Sequence, residues 1–410
     1  MTSETLIMNK DCIAMASDSA VTVGNFKTYT GANKLFMLSN DPPMGMMIYG
    51  SANFENILLE TLISEFSKVA NFKEKNDIIS IKDDFLDFLG ENTPSTDLYS
   101  KMESGFENFK RNITSEIEGS DIDDLMAFLD DIQIVLPSFL KDYEDVIDQF
   151  DDEFKQIIPD HIPSEFHDEI IIKLKNIYLN QIIRMGTGVV IAGFSEEDMY
   201  PSVVYFNIVL NNNKKIEITD YDELLNFSGS AIIPFAQEDV INTFLTGIDT
   251  EIERALIDYF DSFIHGYIDD LKDEVSNNNK IDNNALSEIN NSLDTFAKTS
   301  NKRIEDFKNI LFNIKEDISN PIVDSVAALP KEELANMSES LIHITALKRK
   351  VDSNLETVGG DIDVAIISKA DGFIWVKHAN YFDNELNPQF FDRKWRHVIL
   401  NNMKIIIKCM

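Results

Sequence analysis

Residues 2 to 22 read TSETLIMNKDCIAMASDSAVT, and residues 31 to 35 read GANKL. Two short apolar runs, 4 to 9 and 12 to 17, are separated by Lys10 and Asp11, the pattern of a tight hairpin at the start of the chain. Asp18 and Ser19 end the second run, and Lys34 opens the next. Each feature is common alone. The order and spacing Thr2, Asp18, Lys34 give them a joint meaning.

Outward from this stretch, Lys34 to Ser39 and Met44 to Tyr49 flank Asn40, Asp41, Pro42 and Pro43, a turn cluster joining two more strands. After Gly50 the period changes: Ile57, Leu58, Leu62, Ile63 and Phe66 recur at helical spacings. From about 74 to 183 the sequence is acidic, amphipathic and helix-like, broken at Pro137, Pro159 and Pro163. Strands return at Gly188 to Phe194, Ser202 to Leu210 and Lys215 to Thr219, with Asn211, Asn212 and Asn213 as the turn between the last two. A second helical block is expected from about 234 to 352. Within it Leu256, Phe260, Phe263, Tyr267 and Leu271, and again Ile304, Phe307, Leu311, Ile314 and Ile318, mark core or partner-helix faces, and Ser276 to Asn291 reads as a polar loop. Ile362 to Ser368 and Phe373 to Lys377 form a last hairpin, and Ile405 to Ile407 fits an edge strand. Strands and helices in separate runs, with antiparallel hairpins, predict an α+β layered fold rather than a doubly wound parallel sheet.

The composition narrows the function classes. The 410 residues carry 36 Lys and Arg against 71 Asp and Glu, a net charge of −35, which repels nucleic-acid backbones and anionic lipid. Hydrophobic residues make up 44%, so the chain can bury a sizeable core. The acid concentrates at 74 to 170 and 248 to 335 and reads as solvated helix faces; the cluster Asp121 to Asp124 lacks the spacing of a calcium loop. The two cysteines, Cys12 and Cys409, cannot build a disulfide framework and fit a reducing cytosol, with Cys12 a small core residue rather than a nucleophile. No apolar run reaches membrane-spanning length and the start lacks a secretory signal, so a cytoplasmic protein is expected, with no membrane or nucleic-acid partner. The six histidines have no ligand spacing, and phosphate-binding glycine loops are missing, so no metal, nucleotide or other cofactor is expected.

The N-terminal spacing resembles that of proteasome β-subunits and their bacterial relatives, the N-terminal-nucleophile hydrolases of HslV type. There a threonine at the mature N-terminus starts the first strand, an Asp-Ser pair ends the second and a lysine begins the third. Counted from Thr2, both intervals to Asp18 and Lys34 equal those of the family. Thr22 falls where the family binds substrate backbone, and Ile48-Tyr49-Gly50-Ser51-Ala52 is similar to its strand-to-helix glycine turn. Phe227-Ser228-Gly229-Ser230-Ala231 resembles its Ser-Gly-Ser, and Gly359-Gly360 its glycine pair before the late hairpin. The resemblance covers about half the chain, roughly 2 to 70, 186 to 247 and 330 to 378. One departure is plain: the family usually has an aspartate three residues before the serine that precedes the glycine pair, and here those two places hold Leu355 and Val358, with Asp352 and Glu356 out of register.

What the resemblance implies is a four-layer αββα sandwich with two large helical insertions, divided as core 1 to 73, insertion 74 to 183, core 184 to 247, insertion 248 to 329 and core 330 to 410. It implies a threonine peptidase in which removal of Met1 bares both the Thr2 hydroxyl and its base, the α-amine, whose ordinary pKa of about 7.7–8.0 suits proton exchange near neutrality. Lys34 would favour loss of the proton, Asp18 would orient the lysine, the Gly50 N–H would hold the oxyanion, and Ser228 would support the amine. Ala32, Ile48 and Ala52 would line an apolar substrate pocket beside Thr22. Partners would be a polypeptide substrate, further copies of the chain in a homo-oligomer such as a ring, and a separate ATPase unfoldase. Two other readings stand beside it: Asp18 as a turn residue with Lys34 on the surface and Thr2 in a loose terminus, or a proteasome-type fold that is catalytically inactive and serves as a scaffold.

Overall fold

The computed structural model describes residues 2–23, 27–75, 77–96, 98–117, 119, 122–131, 144–184, 186–277, 283–351, 358–380, 382, 383 and 385–389. The expectations for Met1, Asp352, Leu355, Glu356, His397, 405–407 and Cys409 lie outside them, as does the side chain of Thr22.

The chain opens with β1 (Ser3–Met8), β2 (Cys12–Asp18), β3 (Ala20–Val23), β4 (Lys27–Thr30), β5 (Leu35–Asn40), β6 (Pro43–Gly50), and the short pair β7 (Asn53–Phe54) and β8 (Ile57–Leu58). Helices follow as α1 (Leu59–Val69), α2 (Ile78–Asn92), α3 (Leu98–Ile117), α4 (Ile122–Asp131), α5 (Glu144–Ile147), α6 (Asp151–Lys155) and α7 (His167–Arg184). Then come β9 (Thr187–Gly193), β10 (Ser202–Asn212), β11 (Lys215–Leu224) and β12 (Ala231–Ala236), and the helices α8 (Asp239–Thr246), α9 (Thr250–Ser276), α10 (Asn283–Val326) and α11 (Lys331–Val351). The hairpin β13 (Ile362–Ser368) and β14 (Gly372–Lys377) closes the described fold. It is a mixed α and β protein with antiparallel sheets.

Two five-stranded sheets carry the architecture, in the orders β12-β1-β2-β13-β14 and β11-β10-β9-β6-β5. Strand alternation decides what each face meets. In β1 and β2, Leu6, Met8, Ile13 and Met15 enter one cluster with Met47, Val190, Ala192 and Val203 of the other sheet. The alternate residues Ile7, Cys12, Ala14 and Ala16 pack with Leu334, Ala335, Leu341 and Ile342 of α11 and Ile241 of α8. On the second sheet Met46, Ile48, Val189, Ile191, Val204 and Phe206 share a cluster with Leu62 and Phe66 of α1 and with Ile81, Phe85 and Leu89 of α2. Burying Phe206 or Ile191 in full is worth about 1.5–3 kcal/mol each, so these clusters hold the sheets to each other and to their helices. Helices α3 to α7 surround a core of their own, with Phe106, Phe109, Phe154 and Tyr178, joined to the sheet through Val209 and Leu210 of β10.

Four sequence readings are corrected. The segment 231 to 236 is strand β12, so the second helical block begins at Asp239 and not near 234; β12 pairs with β1 at the edge of the sheet, where Pro234 opposite Thr5 can lack an N–H without breaking a ladder. The hairpin β3–β4 is an addition, pairing Val21 with Tyr29 and Thr22 with Thr28. The turn after β10 is centred on Asn213 and Lys214, which both take positive φ, while Asn211 and Asn212 belong to the strand. The Asn-rich stretch is largely helical: α9 runs to Ser276 and α10 begins at Asn283, where Leu286, Ile289 and Leu293 keep helical spacing. The stripes on these two long helices meet only in part. Phe260 and Phe307 meet with ring centroids 4.7 Å apart, their planes tilted by 36°, while Leu256, Phe263, Tyr267, Ile314 and Ile318 stay exposed.

Candidate active site

Thr2 sits at the start of β1, tied down by its carbonyl, which accepts from the N–H of Gln237 just after β12 (3.3 Å). Gln237 is fixed in turn by Arg349 at the end of α11, whose Nε donates to its side-chain oxygen (2.5 Å) and whose guanidinium also reaches Asp239. Thr2 is thus positioned by the turn after β12 and, through it, by α11, both distant in sequence.

Asp18, at the end of β2, is 1% exposed and accepts from four directions. The backbone N–H groups of Ser3 (3.1 Å), Ala20 (3.3 Å) and Gly359 (3.0 Å) point at its carboxylate, and the ammonium of Lys34 lies 2.5 Å from it. Lys34 itself is 4% exposed. Its backbone is held because its carbonyl accepts from Ile48 N–H (2.9 Å), and Ser19 O accepts from the N–H groups of Gly31 and Ala32 (3.0 and 3.1 Å) in the loop leading to it. The glycine pair therefore serves the site through Asp18, while Val358, just before it, is fully buried.

The sequence reading missed Glu4. Alternation along β1 puts it on the same side of the strand as Thr2, Leu6 and Met8, facing the second sheet. It is fully buried. The Thr2 hydroxyl donates to its Oε2 (3.1 Å), and its Oε1 lies 3.4 Å from the Lys34 ammonium. A charged residue two places after Thr2, in phase with the core residues Leu6 and Met8, was the signal available in the sequence. Two carboxyl groups thus share one cation. Burial, reinforced by Asp18 and only partly offset by Lys34, pushes the Glu4 carboxyl up to about 8.

This shift has a sign that can be tested. Because the folded chain holds the Glu4 proton more tightly than the unfolded chain, the stabilisation is complete below the ordinary value of 4.5 and is lost as pH rises through about 8. The denaturant midpoint should therefore fall between pH 5 and 8, and Glu4→Gln should flatten that slope; an equal slope in the variant would remove Glu4 as its source.

Gly50, at the end of β6, points its N–H at Thr2 Oγ1 (3.5 Å). Its φ of +81° and the carbonyl of Gly186, only 3.0 Å from where a Cβ would stand, require glycine here. Thr2, Asp18, Lys34 and Gly50 are thus brought together. Ser228 is not: it is exposed before β12, no hydrogen bond joins it to Thr2 among the described residues, and it is Ser230 that donates to the carbonyl of Val323 (2.7 Å).

Of the residues expected at a substrate pocket, Ala32 borders a small cavity of about 60 Å³ with Ser19 and Asp363, and Ala52 is half-buried near α1. Ile48 is corrected: it lies at 3% exposure in the cluster facing α1 and α2, because its place in the alternation of β6 turns it away from the first sheet. A larger cavity of about 490 Å³ runs along the edge strand β5, between α1 and Trp375, His378 and Phe382. Cys12 is buried and its thiol is pushed up to about 11 by desolvation, which makes it a poor nucleophile. Among the described residues there is no group of His, Cys, Asp and Glu placed to hold a metal ion, and no helix is long and apolar enough to cross a membrane.

No protein-family model matches the sequence, and no curated protein matches it. Among solved structures the chain is similar to the Anbu (Gly-1) mutant from Hyphomicrobium sp. strain MC1, at 8% identity and a TM-score of 0.35, covering 97% of this chain and 96% of that one. It is also similar to Anbu, an ancestral beta-subunit, from Yersinia bercovieri, at 8% identity and a TM-score of 0.33, covering 98% and 96%. At scores this low neither likeness bears on chemistry, which rests on the residues.

Proposed function

We propose that the chain is a threonine-type N-terminal-nucleophile hydrolase, most simply a peptidase, whose nucleophile is the hydroxyl of Thr2 once Met1 is removed. One observation supports it above the rest: a buried hydroxyl at a strand start lies between a backbone N–H, that of Gly50, and the linked group Glu4–Lys34–Asp18. A hydroxyl is a weak nucleophile and needs a base beside it, and the oxyanion that forms next to it on the substrate needs a donor, so the two groups acyl transfer requires both lie beside Thr2. Thr2 would attack a carbonyl, form an acyl-enzyme and release it to water. The freed α-amine would titrate near neutrality beside it.

The packing of helices on the outer faces of two facing sheets supports the reading of the core as a four-layer αββα sandwich. Segments 74 to 183 and 248 to 329 are proposed as insertions in it, although α2 packs into the core of the second sheet. A polypeptide substrate with an apolar side chain near Ala32 and Ala52, a homo-oligomer and a separate unfolding ATPase complete the proposal.

The rival is an inactive protein that uses the fold as a scaffold. Intact-mass measurement and a β-lactone probe decide between them. The hydrolase reading expects a chain lacking Met1 that is labelled once, at Thr2, with no labelling of Thr2→Ala. Retention of Met1 together with absence of labelling would sink it.

A further inference from the structure

Resting on that reading, we propose that Glu4 is a catalytic residue: its carboxylate accepts the proton of the Thr2 hydroxyl when Thr2 attacks. Glu4 is two residues from Thr2 on β1, its Oε2 already accepts the Thr2 hydroxyl proton as a hydrogen bond (3.1 Å), and the side chain is completely buried. Its second oxygen, 3.4 Å from the Lys34 ammonium, makes no hydrogen bond within the described structure. A fully buried carboxyl with one oxygen on a hydroxyl and the other facing a cation is costly to a fold. Although its backbone belongs to the ladders of β1 with β12 and β2, no helix cap among the described residues uses its carboxyl. What it does have is the geometry of a general base: hydrogen-bond reach to the proton it would take.

The charges around it fit that task. On β1 its neighbour is the Thr2 hydroxyl; from the loop before β5 comes Lys34, from the end of β2 Asp18, and from β6 on the facing sheet Tyr49, whose phenol is pushed above its ordinary range chiefly by burial. Asp18 takes the closer share of the lysine, at 2.5 Å against 3.4 Å. Burial raises the Glu4 carboxyl to about 8, so it ionises near the pH at which a base works best. Asp18, bonded to three backbone N–H groups and to Lys34, has no hydrogen bond to the hydroxyl among the described residues and acts on orientation.

The step balances. Thr2 Oγ bonds to the carbonyl carbon of the substrate as its proton passes to Glu4 Oε2, and the carbonyl electron pair moves onto oxygen beside the Gly50 N–H. Collapse breaks the bond to the leaving nitrogen, which takes the proton from Glu4. A water then gives a proton to Glu4 as it adds to the ester, and Thr2 Oγ leaves with that proton.

The test uses the full chain without Met1, a β-lactone probe, and labelling rates from pH 5 to 10 for the natural protein, Glu4→Gln and Glu4→Asp. Glu4→Gln should slow labelling about 100-fold or more and lose the rising limb that the natural protein shows, leaving only what the amine contributes. Glu4→Asp should be slowed by its shorter reach yet keep a limb. If Glu4→Gln does not fold, by its thermal transition, Glu4→Asp carries the test: a rate equal to that of the natural protein overturns the proposal. A folded Glu4→Gln with the natural rate and limb also overturns it, and leaves Thr2 standing as nucleophile. Absence of labelling in the natural protein, as in Thr2→Ala, overturns both.

Discussion

Lys34→Met is expected to lower the unfolding free energy by about 3–5 kcal/mol and to abolish labelling of Thr2, because removing one member of a buried ion pair leaves the other uncompensated. The stranded charge is Asp18, whose side chain is fully buried as the Lys34 side chain is 95% buried, its exposure being 5%. Glu4 would lose its cation as well and be held still more firmly protonated. Asp18→Asn combined with Lys34→Met should recover part of the stability, since no charge is then stranded. The recovery is incomplete because an amide has one acceptor oxygen for the N–H groups of Ser3, Ala20 and Gly359. Activity should not return. Urea titrations of the single and double variants read the effect, and a single variant as stable as the natural protein would show that Lys34 is not needed to balance Asp18.

Gly90→Ala should cost about 3 kcal/mol, the upper end for overpacking. Gly90 is on the buried face of α2, and a Cβ there would stand 2.0 Å from the carbonyl oxygen of Lys214. The obstacle is backbone, in the tight turn after β10, and cannot rotate away. The same turn is clamped to the helix by Asn211, whose amide donates to the carbonyls of Gly90 (3.1 Å) and Thr93 (3.0 Å). To admit a methyl group, α2 must lift from the sheet and loosen Ile81, Phe85 and Leu89 together. A thermal midpoint unchanged by Gly90→Ala would contradict this packing. Thr2 lies apart from this contact, so the labelling rate of the folded fraction should stay close to that of the natural protein, which separates the stability effect from chemistry.

The opening hairpin, the strand pair across Pro42 and Pro43, the helix from Leu59 and the final described hairpin were legible, because alternation and helical spacing are local properties of consecutive residues, although Ile57 and Leu58, spaced as if helical, form strand β8. The spacing of Thr2, Asp18 and Lys34 was legible too. Strand β12 was not, since Pro234 argues against a strand until its place at a sheet edge is known. Nor could the sequence tell that Leu256, Phe263 and Tyr267, spaced like core residues, are exposed on α9: a stripe shows which residues share a face, not whether something covers it. Ile48 was misplaced for a related reason, a position carried over from a motif being blind to the direction of a side chain.

The sequence by itself determined the periods, the breaks and the order of the chemical groups along the chain, for these depend on near neighbours and on backbone sterics. Only the tertiary structure decided that Gly359 would close on Asp18 across 341 positions, that Arg349 would brace the turn beside Thr2, and that Glu4 and Asp18 would share the single ammonium of Lys34. Those are consequences of burial, where one charge must find another within a few ångströms whatever their distance in sequence.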